Sequence, residues 1–499
     1  MAIETDGTPT RPDRGVQAAA RATGARTGEQ YLAGLRSEER EVWLGGERVE
    51  DPSTHPDLEG AARSLASLFD LQHEEPDVFL MESPDTGRPV NVTHVLPKSR
   101  RDLERRRVAS KRIADETVGM MGRTPDYLNY TFACFAARAD VWGRYGNEAG
   151  AQNVVDYQRY MRDNDLALTH TLINPQVDRS KAEAEQAAGE VALHKVADTK
   201  DGIVVRGARM IATLAPFADE LAVYPGTPVR PEDERYAVCF AIPVATPGLK
   251  FICRDSFSVP RDPWDYPLSS RFDEMDAVVV FDDVEVPRER VFLDGHPQLH
   301  TEVITETNWR AHIIHQAMTR AWSKLEFAFG LAHTIADMTG VNAFDHVQEK
   351  LGEIWSMLEM TRSGIVSAEA GSAEDHGDWT PDERPFVALR GLMPKWIPRS
   401  LELIQLIGGG GFVATPTKAD WEGPLQADIE KYFQARNAGA ERRIRAFRLG
   451  WDFVGSSLAG RGELYERFYL SDSFRMTALA YILADKRHAT ELVERFLRD

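Results

Sequence analysis

Residues 202–216 read GIVVRGARMIATLAP, a run of β-branched and small apolar residues closed by Ala-Pro, and this texture decides the fold. It returns in YAVCFAIPVATPGLKFICR (236–254) and DAVVVFDDVEVPRERVFL (276–293), each bounded by Gly, Pro and Asp. An all-β unit over 151–298 follows. On its N-terminal side the period turns helical, with Tyr31, Leu32 and Leu35, then Ala61, Leu65, Leu68 and Phe69, then a charged stretch from Arg100 to Lys111, which predicts a helical domain over 28–150. Residues 1–27 lack periodic hydrophobics and have the composition of a disordered tail. Beyond Thr301, apolar residues recur at three and four near 308–339, 345–370, 385–407 and 437–455, so a helical bundle over 299–499 closes the chain. Helices, strands, then a bundle make an α+β multidomain order without the βαβ alternation of a doubly wound sheet.

Bulk composition narrows the function. With 59 Lys+Arg against 78 Asp+Glu, the 499 residues carry a formal charge of -19, which repels a phosphate backbone and excludes nucleic acid as a partner. An anionic ligand must then be held by a local group of arginines. Cys134, Cys239 and Cys253 lie far apart and form neither a disulfide framework nor a thiolate metal site. The opening MAIETDGTPTRPDRG has no apolar core of a signal peptide, and apolar runs elsewhere are too short to span a membrane, so a soluble cytoplasmic protein is expected.

Several familiar motifs are missing. No G-x-G-x-x-G follows a strand; the run Gly408–Gly411 follows the helical RSLELIQLI and reads as a helix cap, or as a close backbone approach to a cofactor or neighbouring subunit. His312 and His315 sit three apart on a helix but without HExxH or a third ligand, so no metal is expected. There is no G-x-S-x-G nucleophile elbow. Two segments stand apart. In MMGRTPDYLNY (120–130), Arg123 and Tyr127 lie one turn apart around a Thr-Pro-Asp helix start. In LALTHTLINPQVDRS (166–180), His170 interrupts an apolar run that ends at Asn174-Pro175. On composition alone these are an ordinary helix N-terminus and a satisfied core histidine.

Together, however, the two segments resemble the hallmark stretches of the 4-hydroxyphenylacetate 3-hydroxylase large-component family. YLAGLRSEEREVWLGGERVEDPSTHP (31–56), VVRGARMIAT (204–213), PLSSRFDEMDAVVVFDDVEVPRERVF (267–292) and ELYERFYLSDSFRM (463–476) extend the resemblance over about residues 28–495. It implies an acyl-CoA-dehydrogenase-like fold with a barrel-like middle domain. It also implies the oxygenase component of a two-component flavin monooxygenase, using FAD as FADH2 with O2. Such an enzyme converts a para-substituted phenol (4-hydroxyphenylacetate-like, tyrosine-derived or hydroxycinnamate-like, free or carrier-tethered) to a catechol through a flavin C4a-hydroperoxide. A separate NAD(P)H:flavin reductase and a homodimer or homotetramer are implied too. Alternatives on the same fold are an acyl-thioester flavin dehydrogenase and a flavin-dependent N-oxygenase or dehalogenase.

Carried over by position, Arg123, Tyr127 and His170 surround the phenolic hydroxyl. His170, Thr171, Leu172, Gln176, Val177, Asp178, Arg179 and Thr213 line FAD, as does the late stretch Asp472, Ser473, Phe474 and Arg475. Gly226 and Thr227 occupy the place of a Ser-Thr pair that holds the substrate tail, and Ile211 replaces a threonine, which points to a longer or differently charged tail. Arg123 favours the phenolate, His170 hydrogen-bonds its oxygen or accepts the proton, and Tyr127 orients it. A lid over Pro216–Arg230 is expected to exclude water.

Overall fold

The structure, a computed structural model, describes residues 23–37, 39–258 and 262–498. The tail expected over 1–27 falls mostly outside these residues, and where it is described it is pinned down. Gly24 N donates to Asp163 O, Ala25 N to Pro89 O, and Arg26 pairs with Asp219 at 2.6 Å, so order begins before residue 28.

Helices α1 (Gly28–Ser37), α2 (Glu59–Glu74), α3 (Arg100–Glu116), α4 (Pro125–Ala137) and α5 (Glu148–Asp163) form the first part. Helix α2 buries Ala61, Leu65, Leu68 and Phe69, the stripe read from its spacing. Ser99 caps α3 by accepting from Asp102 N. The expectation of a purely helical first domain needs correcting. Strands β1 (Glu41–Leu44) and β2 (Glu47–Val49) turn at Gly45-Gly46 and extend a sheet of the middle part, whereas β3 (Leu80–Glu82) and β4 (Pro89–Asn91) make a separate hairpin. The boundary placed at 150/151 falls inside α5, and the one at 298/299 falls inside helix α6 (Pro297–Glu306).

In the middle part, β5 (Leu168–Thr171), β6 (His194–Asp198), β7 (Gly202–Thr213), β8 (Glu220–Val223), β9 (Val238–Pro243), β10 (Leu249–Cys253), β11 (Asp276–Pro287) and β12 (Val291–Asp294) build two sheets. Their orders are β2-β1-β10-β11-β7-β6 and β12-β9-β8-β5, antiparallel except for β1/β10 and β5/β8. Val205, Val279, Phe281 and Phe240 fill the core between them. The bundle is α7 (Trp309–Thr339), α8 (Asp345–Ala370), α9 (Glu383–Gly408) and α10 (Ala440–Val454), followed by α11 (Ser457–Phe468), α12 (Ser473–Leu483) and α13 (Arg487–Leu497). Among the described residues no helix is long and apolar enough to cross a membrane. The glycine run ends α9: Gly409 has φ +52°, and a Cβ on Gly411 would collide with the Phe447 ring, so packing inside the chain accounts for it.

Asp452 ties bundle to β part. Fully buried, it accepts the backbone N–H groups of Leu268 (2.7 Å) and Ser269 (2.8 Å) and the Ser269 hydroxyl. Asp452→Ala would strand all three donors, and urea unfolding is expected to register a loss of about 3 kcal/mol or more, with Asp452→Asn losing clearly less.

Candidate active site

The site begins with a part-buried cation that forms no ion pair among the described residues. Arg123 lies just before α4, whose start is set by Pro125 at the first turn and by Asp126, which accepts from Gln316. Its Nη1 donates to Tyr465 Oη at 2.7 Å, and the guanidinium stands 4.1 Å from the Tyr127 ring centroid, 5.6 Å from Tyr465 and 5.4 Å from Tyr469. No ion pair to this guanidinium exists among the described residues. Burial opposes its charge, while the three phenols and Glu274 more than restore it, so it stays protonated. A close approach makes this possible: a Cβ on Gly122 would overlap the Tyr465 hydroxyl.

Position is enforced from behind. The Arg123 backbone N–H donates to Glu274, which pairs with Arg461 at 3.0 Å; Arg461 reaches Asp276 at 2.8 Å, and Asp276 binds Arg254 and accepts from the Thr213 hydroxyl. On the bundle side Glu466 is held by Arg320 (2.8 Å) and Lys324 (2.9 Å), which keeps its carboxyl down at about 2. Tyr465 and Tyr469 flank that residue on α11 and just beyond it, their rings stacked at 4.5 Å. Sequence reading missed both tyrosines, Glu274 and Arg461. The only hint was ELYERFYL, where two tyrosines four apart share a helix face.

His170, the third residue of β5, stacks on Tyr127 (5.4 Å between centroids, 13°) and lies 5.5 Å from Tyr224. Burial first, and the Arg123 charge second, push its pKa well below the ordinary value. It is therefore a neutral imidazole near pH 7, the form that can accept a hydrogen bond or a proton. Neither its ring nitrogens nor the Tyr127 hydroxyl hydrogen-bond a described residue. Arg123, Tyr127 and His170 thus come together as expected, with donors and acceptors left open for a ligand.

The residues expected on FAD divide into two groups. Thr171 donates to Met210 O at 2.9 Å, Leu172 lies at the start of the loop after β5, and Gln176, Val177, Asp178 and Arg179 continue it. Thr213 is the buried last residue of β7 and its hydroxyl is already committed to Asp276. A β-bulge in β7 puts Ile211 at φ +62° with half its surface exposed, an unfavourable backbone for a β-branched residue. Exposed Ile173, Val177 and Ile211 offer an apolar face to a planar ring, and Arg179 has no ion-pair partner among the described residues. This donor and surface set fits a flavin with its phosphates. Asp472–Arg475 do not join it within one chain: Asp472 caps α12, Ser473 donates to Gly391 O, and Phe474 is 82% exposed.

Other expectations change. Gly226 does not open space in its immediate surroundings, because a Cβ there would lie 2.8 Å from Leu172 Cβ; the loop presses on Leu172 instead. The lid expected over Pro216–Arg230 is too broad, since 216–223 is a buried turn and strand, and only the segment after Tyr224 is loop. His312 and His315 bind different carboxylates, Asp378 at 2.8 Å and Glu369 at 2.9 Å. Cys134, His312 and Asp378 come within 4.8 Å of one another, but Arg106 already brings positive charge 3.4 Å from His312.

A family model described as 4-hydroxyphenylacetate 3-hydroxylase N terminal matches residues 27–293, and one described as its C terminal matches 301–498. The 4-hydroxyphenylacetate 3-monooxygenase oxygenase component of Thermus thermophilus is 40% identical over 476 residues, 95% of this chain and 98% of its own. That of a Geobacillus species is 38% identical over 478 residues, 95% and 97%. A crystal structure of the oxygenase component of 4-hydroxyphenylacetate 3-monooxygenase complexed with FAD and 4-hydroxyphenylacetate matches with a TM-score of 0.91 at 40% identity, covering 95% of this chain and 98% of that one. The three-part architecture of helices, β sheets and bundle is the fold of that oxygenase component. Within that fold, the chain belongs to the 4-hydroxyphenylacetate 3-hydroxylase family.

Three buried histidines predict acid sensitivity. His94 and His300 are each held down to about 3, and His170 well below its usual value, in every case chiefly by burial. The unfolded chain takes up protons below about pH 6.5 that the folded chain refuses, so stability falls as pH drops through that value, by roughly 1.4 kcal/mol per histidine at one unit below. Melting temperatures should fall from pH 7.5 to 5.5, and His94→Leu should remove about one proton from that dependence.

Proposed function

We propose that this chain is the oxygenase component of a two-component flavin monooxygenase that hydroxylates a para-substituted phenol ortho to its hydroxyl. The net reaction consumes phenol, reduced FAD and O2 and yields catechol, oxidised FAD and water. The observation that carries it is the part-buried guanidinium of Arg123, without an ion-pair partner among the described residues, beside the uncommitted Tyr127 hydroxyl and His170 imidazole. Family membership and the FAD- and phenol-bound relative support it.

Reduced FAD, when bound with O2, supplies the electrophilic oxygen atom; the chain's task is to make the ring electron-rich and keep water away. A phenol with an ordinary pKa near 10 is mostly protonated at neutral pH. A unit charge about 4 Å from the phenolate oxygen, at an effective dielectric of about 20, favours the anion by roughly 4 kcal/mol, about three pKa units. Arg123 is placed to supply that charge. Neutral His170 accepts the hydroxyl's hydrogen bond or its proton. Tyr127, its ring stacked on that of His170, orients the oxygen as a third partner.

Thr171, Leu172, Gln176, Val177, Asp178 and Arg179 line the flavin in this reading, with Ile211 against its ring. Asp472–Arg475 reach the flavin of a second copy, in a homodimer or homotetramer. Exposed Phe474, Tyr481, Ile482 and Phe496 on α12 and α13 give such a copy an apolar face. A separate NAD(P)H:flavin reductase delivers FADH2, since no dinucleotide fingerprint occurs in the sequence. Three free cysteines fit a reducing cytoplasm.

Arg123→Met is expected to lower catechol formation about 100-fold or more while reduced-FAD affinity and flavin-dependent peroxide release stay within about twofold of wild type. Undiminished catechol yield would remove the assignment. Purified chain given NADH, FAD and phenol should consume no NADH until a flavin reductase is added.

A further inference from the structure

Tyr465 and Tyr469 are near twins. They lie one helical turn apart, and their rings stack at 4.5 Å with an interplanar angle of 11°. Each takes a guanidinium hydrogen on its oxygen, Tyr465 from Arg123 Nη1 at 2.7 Å and Tyr469 from Arg320 Nη2 at 3.0 Å. The guanidiniums differ. Glu466 closes Arg320 with two bonds of 2.8 Å, whereas Arg123 has no ion pair among the described residues. Tyr465 therefore rests on a charge that stays available to a ligand.

Its ring is fixed. Tyr469 covers it, the Arg461 guanidinium stands 4.7 Å from its centroid, and Gly122 comes so close that a Cβ there would overlap the hydroxyl. A hydroxyl that cannot swing away, and whose oxygen accepts from Arg123, sends its own hydrogen elsewhere; that hydrogen meets no acceptor among the described residues. The group stays protonated. Burial raises the Tyr465 pKa well above the ordinary value, Arg123 and Arg320 pull it back only in part, and Glu274 and Tyr469 add to the rise. Arg123 spends Nη1 on Tyr465 and on Gly122 O, while its Nη2 bonds to no described residue. The end of a guanidinium takes two oxygens side by side, as it takes a carboxylate. Tyr465 Oη fills the Nη1 position, and the Nη2 position next to it is open.

Resting on the function proposed above, we infer that Tyr465 is a further catalytic residue: its hydroxyl, held on Arg123, donates its hydrogen to the phenolate oxygen bound on the same guanidinium. The two oxygens then sit on the fork as those of a carboxylate would, joined by a charge-assisted hydrogen bond of about 2.5–2.7 Å. Arg123 polarises the O–H bond, so Tyr465 is a stronger donor here than a tyrosine in water. It stays protonated throughout, and after the ring is oxidised the same hydrogen bond runs to the product's oxygen. Tyr469, whose guanidinium Glu466 already answers, holds the Tyr465 ring in place.

The probe is 4-methylphenol bound to the FAD-loaded full-length protein, its ionisation read from ultraviolet difference spectra over a pH series. Tyr465→Phe keeps the ring and removes the donor. The ionisation should move about one pH unit back toward its value in water, as expected for one hydrogen bond to a charged oxygen, and catechol formation with reduced FAD should fall about tenfold through kcat. Replacing Tyr465 by 3-fluorotyrosine keeps ring and hydroxyl but strengthens the donor, and should carry the ionisation below that of wild type. An ionisation unchanged in either variant would overturn the inference even if catechol formation fell. So would a lowered one in Tyr465→Phe, which would make Tyr465 a competitor for Arg123. Should wild type form no catechol with reduced FAD, the function proposed above fails, while the spectra still decide whether Tyr465 donates to a bound phenol.

Discussion

A half-buried guanidinium with no ion-pair partner among the described residues is the constraint around which this molecule is built. Left alone, such a charge is worth several kcal/mol against folding. Here the π faces of Tyr127, Tyr465 and Tyr469 offset part of that cost, and Glu274 is kept on the backbone side of Arg123. Glu274 cannot swing over to neutralise the guanidinium because Arg461 holds its other oxygen. The remaining positive potential faces the imidazole of His170, whose protonation it suppresses. Burial keeps the imidazole of His170 neutral, and the Arg123 charge adds to that.

Each of the three parts contributes a piece that the others cannot. The helical part supplies Arg123 and Tyr127, the β part His170 and Glu274, and the bundle end Tyr465 and Arg461. The bulge in β7 adds a further level of control. Inserting one residue there turns Ile211 outward and sets Arg209 inward toward Leu172.

Much of this was legible in the residues. The four long bundle helices start and stop within a few residues of the apolar periodicity, because each buries a continuous stripe. The Thr-Pro-Asp start before Tyr127 marked where Arg123 precedes α4, and the multi-segment resemblance joined it to His170. What escaped depended on partners distant in sequence. Glu41–Val49 pairs with a strand two hundred residues away, and a four-residue strand carries no period that says so. Residues 23–27 look unstructured by composition, yet Arg26 finds Asp219. Tyr465 and Tyr469 were indistinguishable from core aromatics until the fold brought Arg123 beneath them. Nor does a sequence show how deeply His170 is buried, which is what pushes its pKa down.

The central claim is that Arg123 stabilises a bound phenolate. It is tested most directly by recording the ultraviolet spectrum of a para-substituted phenol bound to the FAD-loaded protein across a pH series, for wild type and for Arg123→Met. The phenol should ionise about two to three pH units below its value in water on wild type, and close to its solution value on the variant. An ionisation at the solution value on both proteins, or an equally lowered one on both, would contradict the account.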